Sequence, residues 1–212
     1  MKIQTNLVGN KYNFGAQPLY PLNVKQKVDN GYITVPAHFC EIDYIDSDDV
    51  DLVIKMNKKW VPKNPLENYI NTISKNFVKA IHKKTTRKYF VLQLDIPTLD
   101  DYAKTVSIME TTNPKNFSEQ GLEIIFLQSI NSIYKILRKF DVKGAGEQII
   151  AGIVHYAKDN DYKYVKLFST KDSFYDKIGF RCIERRKDGS IFFLPKYDYD
   201  NFLNKTKEKY GE

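Results

Sequence analysis

Apolar residues recur along the chain with two periods, and the switches between them mark the elements. The run Asp51-Leu52-Val53-Ile54-Lys55-Met56 predicts a short strand. Behind it Leu66, Tyr69, Ile70, Ile73, Phe77, Val78 and Ile81 fall at helical spacing, so an amphipathic helix is expected over 65–83. Pro62-Lys63-Asn64-Pro65 supplies its start, because proline suits a first helical turn and asparagine can cap it. Three strands are predicted next, Tyr89–Leu94, Lys104–Glu110 and Leu122–Gln128, with the turn formers Asp-Ile-Pro-Thr and Asn-Pro-Lys-Asn in the breaks. Short connections favour an antiparallel meander for them. The third is almost continuously apolar, as a central strand covered on both faces should be.

After Gly146 the period becomes helical, with Ile149, Ile150, Ile153, Val154 and Ala157 on one face. Tyr164–Phe168 alternates as a strand, and a short helix over 171–178 is expected to stop at Gly179. Arg181–Arg185 and Ser190–Leu194 flank Lys187-Asp188-Gly189, a hairpin signal. Residues 1–48 are irregular by pattern, with only short apolar runs such as Tyr32–Val35, and the charged end 204–212 is expected to fray. The order predicts an α+β fold of layered type, a mixed and mostly antiparallel central sheet flanked by helices. The domain is expected over 49–203, with 1–48 as an N-terminal extension and 204–212 as a tail.

Composition narrows the class. The chain has 212 residues, 42% hydrophobic and 14% aromatic, enough for one sizeable core and too apolar for a disordered chain. No run approaches the roughly 20 apolar residues of a membrane span, and the first fifteen residues lack the apolar segment of a signal peptide. A cytoplasmic protein without membrane partners is therefore expected, with Cys40 and Cys182 as reduced thiols. The three histidines (His38, His82, His155) and the cysteines have no metal-like spacing, so no metal is expected. The net charge of +7 comes without a block of like charges. It favours anionic ligands weakly, and a nucleic-acid partner would rest on charge alone.

The most informative segment is Val142-Lys143-Gly144-Ala145-Gly146-Glu147-Gln148-Ile149, which leads from a strand into a helix through two glycines. Glycine lets the backbone approach a ligand, and the helix start behind it offers unpaired N–H groups and a positive dipole end, which suits a phosphate. Two glycines before a helix fit a plain tight connection equally well. A P-loop is absent, a dinucleotide fingerprint would need a third glycine where Ile149 stands, and no Gly-x-Ser-x-Gly elbow occurs.

Downstream stands Ser173-Phe174-Tyr175-Asp176-Lys177-Ile178-Gly179-Phe180. Phe-Tyr-x-Lys-x-Gly-Phe after a Lys-Gly-x-Gly loop, with Glu123-Ile124-Ile125-Phe126 ahead of it, resembles the GNAT superfamily of N-acetyltransferases. The similarity covers about 50–195 in element order and is specific across 122–180. It implies an enzyme moving an acetyl group from acetyl-CoA to a primary amine of a small molecule or protein by direct transfer. The pyrophosphate would lie on the N–H groups of Lys143, Gly144, Ala145, Gly146, Glu147 and Gln148, and the pantetheine arm along Leu127, Gln128 and Ser129. Tyr175 would stand near the sulfur as proton donor, and Glu123 would take the proton of the incoming ammonium.

The sequence departs from that family in three places. Lys143 stands where arginine or glutamine is usual, exchanging a bidentate fork for a point charge. Gln148 stands where glycine or alanine is usual, so its side chain must point away from the phosphates. The connection Ile130–Asp141 is longer than usual, and Ile133, Ile136, Leu137 and Phe140 predict a short extra helix in it. These departures motivate an alternative, a catalytically inactive GNAT-like module that binds acyl-CoA or regulates.

Overall fold

The computed structural model describes residues 16–60, 68–83, 85–99, 101–113, 120–130 and 141–211. The expected helix start at Pro62–Pro65 lies outside the described residues, as does all of the proposed extra helix except its ends, Ile130 and Asp141.

The chain enters as a long hairpin, β1 (Gln17–Val28) and β2 (Gly31–Ile42). The segment left irregular by pattern thus supplies two strands, and β2 pairs antiparallel with β3 (Arg87–Leu94) inside the main sheet. Its alternation is hard to read because Pro21 and Pro36 sit within it and its outer half is exposed on both faces.

The predicted strand 51–56 is instead part of helix α1 (Ser47–Lys59). Asp46 caps it, its carboxylate accepting from the Asp48 and Asp49 N–H groups at 2.9 and 3.2 Å. Asp48 and Asp49 in the first turn and Lys58 and Lys59 in the last complement the helix dipole. The six apolar-rich residues were too few to show the period; Leu52, Val53 and Met56 are the buried face. Helix α2 (Tyr69–Ala80) buries Ile70, Ile73 and Phe77, as the spacing predicts, together with Ala80, whereas Val78 and Ile81, expected on the same face, are exposed.

The meander follows as expected: β3, β4 (Thr105–Thr112) and β5 (Gly121–Ser129), all antiparallel, with a one-turn helix α3 (Asp101–Lys104) before β4. A two-residue strand β6 (Val142–Lys143) leads into α4 (Ala145–Asp159). Then come β7 (Tyr164–Ser169), α5 (Asp172–Ile178), the hairpin β8 (Arg181–Arg186) and β9 (Gly189–Pro195), and α6 (Tyr199–Tyr210). The end read as a fraying tail is the second half of α6, and Tyr210 is buried at 3% exposure. Lysines on its outer side hid a face of Phe202, Leu203, Thr206 and Tyr210.

The described strands form one sheet of order β6-β1-β2-β3-β4-β5-β7-β9-β8, in which only β5 and β7 run parallel. Tyr89 and Phe90 point to opposite faces and mark the two layers. On one side Phe77 of α2 meets Tyr89 edge-on at 4.8 Å; on the other Phe39 stacks on Phe90 at 4.9 Å, and Tyr156 of α4 packs tilted against Phe90 at 5.2 Å. Gly152 of α4 lies against the Phe39 ring, where a Cβ would come within 2.8 Å of Cε2, so helix and sheet approach closely there.

Candidate active site

β5 and β7 pair only from Gly121↔Tyr164 to Ile124↔Leu167. At that point β5 carries a bulge: Glu110 of β4 faces Phe126 and Thr111 faces Ile124, leaving Ile125 extra. A bulge bends and twists its strand. Past it the β5–β7 ladder ends, and a cleft of 890 Å³ opens there. Its walls are Ile124–Ser129 of β5, Leu167–Lys171 at the end of β7, the first turn of α4, and α5.

One end of the cleft is the start of α4. Gly144 holds φ +91°, a left-handed conformation that favours glycine, and no described side chain caps the helix. Its first N–H groups are therefore left for a ligand, next to Gly146. Four lysines, Lys143, Lys171, Lys177 and Lys209, line the cleft against one carboxylate, Glu147. That carboxylate is itself neutralised: Lys209 Nζ lies 2.5 Å from Glu147 Oε2, and the Tyr210 hydroxyl donates to the same oxygen at 2.9 Å. The charged side chains that line the cleft are thus net positive.

The other end is aromatic. Tyr175 of α5 packs edge-on to Phe174 at 4.9 Å and to Phe180 at 6.0 Å, and against Phe192 at 5.3 Å. Gly179, at φ +100°, closes α5 by donating to the Tyr175 and Asp176 carbonyls. Asp172 anchors the helix start, accepting from Ser190 at 2.7 Å and Arg185 at 2.6 Å. Burial, and then the nearby Tyr69 phenol, push the Tyr175 hydroxyl up to about 12, so it is a neutral donor throughout the physiological range. Tyr69 stacks on Phe126 at 5.8 Å, and its N–H donates to Gln128 Oε1 at 3.2 Å, tying α2 to the bulged strand.

Of the expected site residues, Leu127, Gln128, Ser129, Lys143, Gly144, Gly146, Glu147 and Tyr175 all line this cleft. Ala145 is buried beneath it, and Gln148 is fully buried with neither amide atom hydrogen-bonded. Glu123 lies apart: it is not among the lining residues, and its carboxylate is 3.7 Å from Lys166, its ladder neighbour on β7. Sequence reasoning missed Tyr69, Lys209 and Tyr210. Tyr69 was absorbed into a helix face, and the other two sat in a stretch whose charge hid its apolar period.

Among the described residues no helix is long and apolar enough to cross a membrane, and no group of His, Cys, Asp or Glu could hold a metal ion.

No protein-family model matches the chain, and no curated protein does. Solved structures do. Mycobacterium smegmatis RimJ in complex with CoA-disulfide aligns over 92% of this chain and 97% of its own at 13% identity, with a TM-score of 0.52. AtaTR bound with acetyl-CoA aligns over 79% and 98% at 11% identity, also at 0.52. Campylobacter jejuni N-acetyltransferase PseH in complex with acetyl-CoA aligns over 74% and 99% at 16% identity, at 0.46. At such identities the likeness is one of fold. The fold is the one the sequence motifs led us to expect, the mixed-sheet GNAT fold.

Proposed function

We propose that this chain is an acetyl-CoA-dependent acyltransferase that moves an acetyl group directly to a primary amine. The carrying observation is the cleft between the bulged end of β5 and β7, which joins an anion-binding helix start at one end to a protected phenol at the other. The residues present fit acetyl-CoA. Gly144 in its left-handed conformation, the uncapped start of α4 and Lys143 suit a pyrophosphate; Leu127–Ser129, which line the cleft along β5, suit the amide-bearing arm. Gln148 does not obstruct the loop, because its side chain is buried away from the cleft.

When bound, acetyl-CoA supplies the acetyl group as an activated thioester. The chain's own contribution is largely positioning: the strand lining the cleft holds the arm extended beside Tyr175. Tyr175, which its raised pKa keeps protonated at neutral pH, is the group that hydrogen-bonds and protonates the departing sulfur. The Glu123–Lys166 pair has the geometry of a structural ion pair, so Glu123 is not assigned as the base. The acceptor is a small molecule or a protein amine.

Calorimetry with acetyl-CoA, followed by release of free thiol across a panel of polyamines, amino acids and peptides, tests this. Saturable one-to-one binding and amine-dependent thiol release are expected. Binding without release across the panel would favour the inactive module, and absence of heat at millimolar acetyl-CoA would overturn the assignment.

A further inference from the structure

We propose that Lys209, carried on the C-terminal helix α6, is a phosphate-binding residue of this site; the inference rests on the acetyl-CoA reading above. α6 is fixed by its buried face: Phe202 meets Phe180 edge-on at 5.9 Å, and Thr206 donates to the Phe202 carbonyl at 3.0 Å. At its end the Tyr210 ring lies directly over Gly144, so that a Cβ there would stand 2.6 Å from Tyr210 Cζ. Asn23 of β1 donates to the Gly211 carbonyl at 3.2 Å, and the Lys25 ammonium lies 5.7 Å from the Tyr210 ring centroid. The last turn is thereby clamped onto the loop that opens α4.

That clamp sets Lys209 and Lys143 both on the cleft, beside the first turn of α4. It also explains how an anion site tolerates Glu147, only 12% exposed in that first turn. Its carboxylate would repel a phosphate, and Lys209 cancels that charge while presenting the remaining ammonium hydrogens to the cleft. Lys209 thus acts twice, by attraction and by removing a repulsion, so its loss should cost more than that of an ordinary surface lysine.

The test is calorimetric titration of CoA into the wild-type chain, Lys209→Gln, Lys209→Arg and Lys209→Gln/Glu147→Gln, each at several salt concentrations. Lys209→Gln should weaken binding about 10- to 30-fold and flatten its salt dependence. Lys209→Arg should bind nearly as the wild type, and the double variant should regain only part of the loss, the part due to the unmasked Glu147 carboxylate; full recovery would mean that Lys209 only neutralises Glu147 and would overturn the phosphate-binding role. Wild-type binding with Lys209→Gln within twofold of it, or a loss with unchanged salt dependence, overturns this role alone. A wild-type chain that takes up no CoA overturns the cofactor reading and this proposal together.

Discussion

Gly144→Ala should expose how closely the C-terminal helix is fitted to the loop. Two separable costs follow from the structure. The backbone there has φ +91°, and holding an alanine in that region costs about 1–2 kcal/mol. The new methyl would also stand 2.6 Å from Tyr210 Cζ, and relieving such an overlap against a buried ring costs about 1–3 kcal/mol. Together the variant should lose about 2–5 kcal/mol in urea unfolding, read as a lower midpoint at unchanged slope. Tyr210→Ala removes the overlap, at the cost of its own packing and of the bond to Glu147. In that background Gly144→Ala should cost only the backbone part, leaving a coupling of about 1–3 kcal/mol between the two positions. Additivity within about 0.5 kcal/mol would mean that α6 does not rest on the loop, and the reasoning would fail.

Three further outcomes are expected. Tyr175→Phe should lower turnover about 100-fold while changing acetyl-CoA affinity little, since it deletes a proton donor and no packing; an unchanged rate removes Tyr175 from the chemistry. Asp49 is fully buried, and burial first, then the neighbouring carboxylates, raise it from its ordinary 3.8 to about 6, against an opposing bond from the Asp43 N–H. The unfolded chain therefore ionises it first, and this residue's contribution to stability falls as pH rises from 4 to 6, by at most about 3 kcal/mol. Asp49→Asn should gain on the wild type across that window and plateau above it in urea titrations; a constant difference would contradict the shift. Gln148→Met should stabilise the fold by about 1–2 kcal/mol by removing a buried amide with no hydrogen-bond partner, and a lower melting temperature would show that the amide has one.

The middle of the chain was legible because its periods are long and clean. The meander, α4, β7 and the Gly179 cap came out near their expected limits, and the loop and Phe-Tyr motifs fell on the same cleft. What failed, failed for identifiable reasons. Leu52–Met56 looks like a strand in a six-residue window, yet Asp46 and two first-turn aspartates start a helix upstream of it. The buried face of α6 is diluted by lysines that point outward, so its closing of the site through Tyr210 was invisible. Glu123 stands at the position the motif implies, yet its carboxylate lies outside the cleft lining and 3.7 Å from its ladder neighbour Lys166, a pairing across strands that spacing along the chain does not reveal.

The central claim is that acetyl-CoA lies in the cleft with its pyrophosphate on the opening of α4. Backbone amide resonances followed during a titration with acetyl-CoA test it most directly. Saturable shifts at Gly144, Ala145, Gly146 and Glu147, together with residues 125–129 of β5, are the predicted result. Shifts confined to other surfaces, or none at millimolar acetyl-CoA, would contradict it.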